Sequence, residues 1–342
     1  MRPEFSEAEA SALVLKYYGI KGNLKPLPSY SDQNFRVSSD QGTFVFKIAN
    51  ALEPEPVLDF QQKALQHVRK HSSLKLPRVI AATDNSTLNQ VAGKTAHHWI
   101  WMVDFLPGQF ISDLASHSNQ LLQNLGRYMG ELDRTLASFS HDAMFRELPW
   151  DLKQAHHLFD LLDHIKDSTR RTLARHFLER MDEHIESHST DLRSTVIHND
   201  ANDNNVLVSE NQNQIDGIID FGDMLHSYTV GELAIATAYM ILGKDDPLHV
   251  ASHVLNGYHA VYPLNEAEIS VLFDLICLRL SNSVCMSAKE RSLAPDNEYL
   301  AVSEQPAWDA LNKLKNIEPA AATDFFFQSI HRTSSDIKLP KG

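Results

Sequence analysis

Between an apolar stretch ending at Ile197 and another opening at Val206, the chain runs His198-Asn199-Asp200-Ala201-Asn202-Asp203-Asn204-Asn205. Fifteen residues past Asn205 comes Asp220, within Ile218-Ile219-Asp220-Phe221-Gly222-Asp223. Clusters of Asp and Asn are common in turns, where their side chains bond nearby amides. A lone His-x-Asp or a lone Asp-Phe-Gly means no more than that. Together, as His-x-Asp-x-x-x-x-Asn followed by Asp-Phe-Gly between apolar strands, they supply what phosphoryl transfer needs. One carboxylate orients the attacking hydroxyl and takes its proton, while an amide oxygen and a second carboxylate hold magnesium against the phosphates. Magnesium takes oxygen ligands and keeps several waters, so one Asp and one Asn suffice. By position Asp200 is the base, and Asn205 and Asp220 are the metal ligands.

A cation for the phosphates should lie upstream. Phe44-Val45-Phe46-Lys47-Ile48 places a lysine among apolar residues of a short strand. A buried ammonium needs an anion; nucleotide phosphates and a helix carboxylate would provide it. Asp59, one turn into the following helix, is preferred over Glu55 as that carboxylate. Pro28-Ser29-Tyr30-Ser31-Asp32-Gln33-Asn34-Phe35 stands where protein kinases carry G-x-G-x-x-G. Without glycine, contact with phosphate falls to backbone amides or to Ser29, Ser31 and Asn34, and Asp32 must point away. Glu232, opening an apolar helix, suits the positive helix end and is also placed to hold the amides of the catalytic turn.

The elements that position these residues divide in character. Ser6-Glu7-Ala8-Glu9 is a capping box opening a helix that Gly19 stops. Gln33 to Ser38 and Thr43 to Ile48 read as antiparallel strands around Asp40-Gln41-Gly42. A helix follows from Val57 to about His71, and the apolar run Trp99 to Leu106 reads as a buried strand ended by Pro107-Gly108. Beyond it, periodic helical segments cover about 119–139, 151–164, 168–189, 228–242, 248–260, 265–290 and 297–315. Short strands around 195–220 carry the polar turn. The fold class is therefore α+β. A small antiparallel-sheet lobe, 1–105, binds nucleotide, and a larger helical lobe, 106–342, carries catalysis and acceptor binding. A cleft between two such lobes is where a ligand pocket is expected.

Composition limits the alternatives. In 342 residues, 31 basic against 44 acidic side chains leave a net charge of −13. That argues against nucleic acid or an anionic membrane surface as partner. Two cysteines exclude a disulfide scaffold. The start MRPEFSEAEA lacks the order of a signal peptide, and no uninterrupted apolar run reaches the ~18 residues that span a bilayer, so a cytoplasmic protein is expected. The eighteen histidines include i, i+4 pairs, His67/His71 and His184/His188. Neither has a third ligand or a zincin arrangement, so both read as surface histidines.

With these residues in hand, the chain resembles the aminoglycoside phosphotransferase and choline kinase superfamily, small-molecule kinases with a protein-kinase-like fold. The middle Gly of that superfamily's His-Gly-Asp is Asn199 here. Within the superfamily the chain is most similar to the hydroxylysine kinases, through FSEAEASALV (5–14), PLPSYSDQNFRV (26–37), FLPG (105–108) and IIDFGDM (218–224). The glycine-free loop is shared with them. The resemblance implies transfer of a γ-phosphate from GTP, the donor in that family, or from ATP to the hydroxyl of 5-hydroxy-L-lysine. It puts Asp200, Asn205, Asp220 and Lys47 at functional positions. Asp104, Phe105 and Leu106 fall at the hinge, where backbone groups hold the purine.

An amino-acid acceptor brings a carboxylate and ammonium groups, so its pocket should hold acids and an arginine able to grip a carboxylate. Asp223 is placed to face the acceptor. Arg279, within Leu275-Ile276-Cys277-Leu278-Arg279-Leu280, is either an internal ion pair or the carboxylate's partner. Asp133 and Trp150 are further candidates. Choline would instead call for an aromatic cage, to which Trp150, Tyr228 and Tyr239 could contribute. Other open readings are a kinase of homoserine, ethanolamine or an aminoglycoside, and a nucleotide-binding pseudokinase scaffold. The full set of Lys47, Asp200, Asn205 and Asp220 argues against the scaffold. The lack of a glycine-rich loop and of Ala-Pro-Glu argues against a protein kinase. Oligomeric state stays open.

Overall fold

The computed structural model describes residues 1–29, 31–293 and 298–336; Tyr30, in the expected phosphate loop, lies outside the described residues. The chain forms two compact units. The first comprises Met1–Pro107, Phe139–Met144 and Gly217–Ile219; the second comprises Gly108–Ser138, Phe145–Asp216 and Asp220–Gly342.

In the first unit, α1 (Glu7–Tyr18) opens on the expected capping box. Glu9 N–H donates to Ser6 Oγ at 3.2 Å and Ser6 N–H donates to the Glu9 carboxylate at 2.8 Å. Gly19 closes the helix at φ 65°. The sheet has β1 (Gly22–Leu27), β2 (Gln33–Ser39) and β3 (Gly42–Ile48), then α2 (Glu55–His71), β4 (Val79–Ile80), β5 (Asn89–Ala92) and β6 (His97–Asp104). The spatial order is β1-β2-β3-β6-β4, with β5 also on β6. Strand β1 was not foreseen, because Lys25 and Pro26 interrupt its apolar pattern; an edge strand tolerates both. Phe44, Phe46 and Ile48 of β3 enter the core with Phe35, Val37, Ile100 and Met102. Period-2 alternation therefore turns Lys47 to the other face. There it lies opposite Asn34 of β2 and Trp101 of β6.

The second unit is mostly helical. Its strands β7 (Gln109–Phe110), β8 (Ser194–Ile197), β9 (Val206–Val208) and β11 (Leu225–Tyr228) frame the polar turns, and β10 (Ile215–Ile218) runs out into the segment that belongs to the first unit. Its helices are α3 (Asn119–Leu136), α4 (Leu158–Leu161), α5 (Ser168–Arg180), α6 (Glu186–His188), α7 (Thr229–Met240), α8 (Pro247–His259), α9 (Glu266–Leu293), α10 (Glu298–Leu314) and α11 (Pro319–Asp336). The segment 151–164 is not one helix. Asp151 caps a 3-10 turn, Gln154 leaves helical geometry at φ −113°, and only α4 is regular. Between α5 and α6, Met181–Ile185 form a π turn. Helix α11 was not anticipated.

Helix α9 is long and apolar enough by composition to cross a membrane, and 83% of its apolar 18-residue window is buried inside the protein. Counting uninterrupted apolar runs missed it because Asp274 and Arg279 break the run. Inside the protein both charges are paired.

Helices α3 and α8 approach at glycines. A Cβ added at Gly257 would lie 1.9 Å from Gln123 O, and one at Gly126 would lie 1.9 Å from Val254 O. Both neighbours are backbone atoms and cannot rotate away. Gly257→Ala should therefore destabilise the protein by on the order of 3 kcal/mol, read as a lower urea midpoint at unchanged m-value. A midpoint equal to that of the parent would show that the helices can separate freely.

Candidate active site

Strand β8 pairs antiparallel with β11, Ile197 opposite Leu225, and this pairing fixes where the chain enters the polar turn. His198 is fully buried, its ring edge-on to Phe221 at 4.6 Å between centroids. Its Nδ1 accepts the Asp200 N–H at 3.2 Å. Asn199 adopts φ 65°, a left-handed conformation that Gly and Asn reach most easily. Its N–H donates at 2.9 Å to Glu232, a carboxylate with no exposed surface at the start of α7. Burial raises the Glu232 pKa; the neighbouring His198 ring and the amides of Asn199 and His198 work against that rise. Glu232 thus ties the turn to α7 as the sequence suggested.

The Asp200 carboxylate is held from several sides. Asn202 Nδ2 donates to Oδ1 at 2.9 Å, and Asn205 Nδ2 donates to Oδ2 at 2.7 Å and to the Asp200 carbonyl at 2.9 Å. Arg279 Nη2 lies 3.4 Å from Oδ1. Burial raises the Asp200 pKa, with Arg279, Asn202 and Asn205 opposing and Asp220 reinforcing. Asn205 spends its amide nitrogen on Asp200, so its oxygen is the end left for another ligand. Asp220 stands at φ 62°, where the chain turns into a 3-10 turn over Phe221–Asp223. Arg146 Nη1 donates to the Gly222 carbonyl at 2.9 Å. Asp223 is pushed up to about 6, first by burial, then by Asp200 and Asp220, against Arg279 and Arg146. The oxygen set of Asn205 and Asp220 suits a hard divalent cation.

Arg279 is buried on α9, with its guanidinium carbon 4.7 Å from the Trp150 ring centre and 5.6 Å from that of Tyr239. Nη2 also donates to the Tyr239 hydroxyl at 3.1 Å. Asp200, Asn205, Asp220, Asp223, Arg279 and Trp150 therefore meet within the second unit. Asp133 does not join them. It is fully buried on α3, accepts the Tyr258 hydroxyl at 2.5 Å, and is driven well up by burial and by Glu232. It is a core acid of the α3–α8 contact. Asn202 and Arg146 escaped the sequence reading, because a turn Asn and an isolated Arg carry no spacing signal.

In the first unit, Lys47 Nζ sits 4.9 Å from the Trp101 ring centre. Asn34, its cross-strand neighbour, has a buried Oδ1 without a hydrogen-bond partner among the described residues. Asp32 faces Asn50, accepting its N–H at 2.9 Å. Ser31 Oγ donates to Asp32 at 3.4 Å, and the Ser29 carbonyl accepts from Arg2 at 3.1 Å. Asp59 is a correction. Its carboxylate binds Lys63 at 2.6 Å and His141 at 3.0 Å, because i, i+4 spacing on α2 brings Lys63 to it first. At the expected hinge, Asp104 N–H donates to Arg78 O at 2.9 Å and Phe105 N–H to Thr43 O at 3.0 Å. Those two amides serve the sheet, which leaves Leu106 as the remaining amide of the three.

The model of the phosphotransferase enzyme family matches residues 23–267. The chain belongs to that family. It is 30% identical to the hydroxylysine kinase of Mus musculus over 365 residues, covering 99% of this chain and 96% of that one. Among solved structures, a microcompartment-associated aminopropanol kinase superposes with a TM-score of 0.69 at 16% identity, covering 95% of this chain and 97% of the other. An amicoumacin kinase in complex with AMP-PNP and Ca2+ also gives 0.69 at 16% identity, over 89% and 94%. The fold is kinase-like, α+β, with an antiparallel sheet in the N-terminal part and helices in the C-terminal part. The protein is a small-molecule kinase, a phosphotransferase acting on an alcohol group.

The raised pKa of Asp223 has a stability signature. Its unfolded value is near 3.8 and its folded value about 6, so its ionisation is resisted in the folded state. The stability present at pH below 3.8 is lost as pH rises towards 6. In the metal-free protein, Asp223→Asn should gain on the parent between pH 4 and pH 7, by on the order of 2 kcal/mol in urea unfolding. A pH-independent difference would show that Asp223 is charged throughout.

Proposed function

We propose that the protein transfers the γ-phosphoryl group of GTP or ATP to the side-chain hydroxyl of 5-hydroxy-L-lysine, giving 5-phosphooxy-L-lysine and the nucleoside diphosphate. The observation that carries this reading is the Asp200 carboxylate, fixed by two amides beside a buried guanidinium, in a chain similar over nearly its whole length to a hydroxylysine kinase. Asp200 accepts the proton of the attacking hydroxyl. Its raised pKa keeps it a competent base while Asn202 and Asn205 hold its orientation. The acceptor oxygen forms its bond to the γ-phosphorus as the bond to the bridging β–γ oxygen breaks.

Asn205 Oδ1 and the Asp220 carboxylate are the groups that would hold magnesium, which when bound neutralises phosphate charge. Lys47 and Asn34, side by side on one face of the sheet, are assigned to the phosphates. Ser29 and Ser31 border the same loop. Leu106 supplies the backbone amide for the purine. Asp223, Arg279 and Trp150 are assigned to the acceptor.

The test is nucleoside diphosphate release with magnesium, running ATP and GTP against 5-hydroxylysine, homoserine, ethanolamine, choline and kanamycin. Selective turnover of hydroxylysine is expected. Asp200→Asn should lower kcat by about 10²–10⁴-fold with nucleotide affinity nearly intact. Equal turnover by that variant would remove Asp200 from the base's role. Nucleotide binding with no acceptor consumed would favour the pseudokinase scaffold.

A further inference from the structure

Helix α9 carries two buried polar side chains, part of whose hydrogen-bonding capacity is unused among the described residues. Arg279 is 2% exposed. Its Nη2 serves Asp200 and Tyr239, but Nε and Nη1 have no partner among the described residues. A guanidinium has five N–H donors, so the three on Nε and Nη1 are left without acceptors. Asn282, one turn further along the same face of α9, has no exposed surface. Its Nδ2 donates to the Pro149 carbonyl at 2.9 Å, and its Oδ1 is likewise without a partner. The two side chains face one short segment, since Asn282 holds Pro149 and Arg279 stacks on Trp150. Asp151, next in sequence, is buried and accepts the Ser227 hydroxyl at 2.5 Å and the Lys153 N–H at 3.0 Å, which anchors that segment.

Buried donors and acceptors are rarely left unmade in a folded protein. A cluster with unused cationic donors at one end and an unused acceptor at the other, beside the carboxylate assigned to catalysis, is complementary to a zwitterion. We propose that Arg279 and Asn282 form the subsite for the α-carboxylate and α-ammonium of the acceptor, making this enzyme selective for hydroxylated α-amino acids over amino alcohols. The assignment rests on the kinase reading above and adds the residues that choose the acceptor's class. Arg279 Nε and Nη1 take the carboxylate, and Asn282 Oδ1 takes the ammonium. The Asn282–Pro149 bond fixes which end of the amide faces the ligand. Because Arg279 also touches Asp200, one guanidinium spans from the assigned base to the head group. The separation between carboxylate and reacting hydroxyl is thereby set by a rigid planar group. An amino alcohol would leave the Arg279 donors desolvated and unpaired, the arrangement by which a polar site rejects an analogue lacking the matching group.

The test uses ligands that bind without reacting, so it does not depend on phosphoryl transfer. L-Lysine keeps the whole head group, cadaverine lacks the carboxylate, and 6-aminohexanoate lacks the α-amine. By calorimetry on the full chain, L-lysine should bind at least tenfold more tightly than either. Arg279→Gln should bring L-lysine down to the level of cadaverine. Asn282→Leu should narrow the gap between L-lysine and 6-aminohexanoate to about twofold. Circular dichroism checks folding of each variant, and Arg279→Lys, which keeps the charge but not the planar donors, replaces the glutamine variant if that one unfolds. Cadaverine binding as tightly as L-lysine, no binding of L-lysine, or an unchanged ligand order in the variants would each overturn the subsite. L-Lysine binding without hydroxylysine turnover would support the head-group subsite and remove the proposed acceptor. Hydroxylysine turnover with cadaverine and L-lysine bound equally would do the reverse.

Discussion

The guanidinium of Arg279 enters the helical core almost fully out of water, and the Asp200 carboxylate beside it is the charge that makes that burial tolerable. Neither group is comfortable alone. Desolvation of an ion costs several kcal/mol, and breaking a buried pair leaves that cost uncompensated. The two are 3.4 Å apart, a loose contact, and Asp200 satisfies its remaining capacity with the amides of Asn202 and Asn205. Arg279 leaves Nε and Nη1 without partners among the described residues. Two neighbouring carboxylates, Asp220 and Asp223, add negative charge, and burial together with Asp200 and Asp220 pushes Asp223 up to about 6. The site is thus a concentrated set of acids moderated by a buried cation that retains donors to give.

The backbone that presents these groups is held by an equally buried interaction. Glu232 accepts the N–H of Asn199, and Asn199 stands in the left-handed region that the turn demands. An isolated strand–turn–strand would not hold that conformation. Here the acceptor comes from α7, so the turn is tied to the most buried helix of the unit. A second left-handed residue, Asp220, re-aims the chain at the start of the Phe221–Asp223 turn. Phe221 packs against His198, joining the two polar segments through an aromatic contact. Local strain at two residues is supported by packing elsewhere, as is usual where side chains must converge.

In the first unit the same logic runs through sheet register. Phe44, Phe46 and Ile48 commit one face of β3 to the core, so Lys47 is carried to the opposite face beside Asn34 and Trp101. A one-residue slip would exchange those faces.

The polar turn after Ile197, Asp-Phe-Gly, the capping box of α1 and the alternation of β2 and β3 were legible in the sequence, because each is a local pattern whose spacing carries its physics. Glu232 was legible too, through its place at a helix start. What the sequence did not hold was which of several available partners each group takes. Asp59 looked like a partner for Lys47 until α2 gave it Lys63 and the 139–144 segment gave it His141. Asp133 looked like a ligand until Tyr258 buried it. The amides of Asp104 and Phe105, expected at a hinge, are committed to Arg78 and Thr43. Arg279 could be read as a structural ion pair or as a binding group, and only the packing of α9 against Pro149–Trp150 shows that it pairs with one nitrogen and leaves two unpaired among the described residues. Periodicity and motif spacing fix local conformation and the kinds of groups available. Which of those groups meet, and which are left with unused hydrogen-bonding capacity, is settled by the folded chain, in part through contacts across more than a hundred residues.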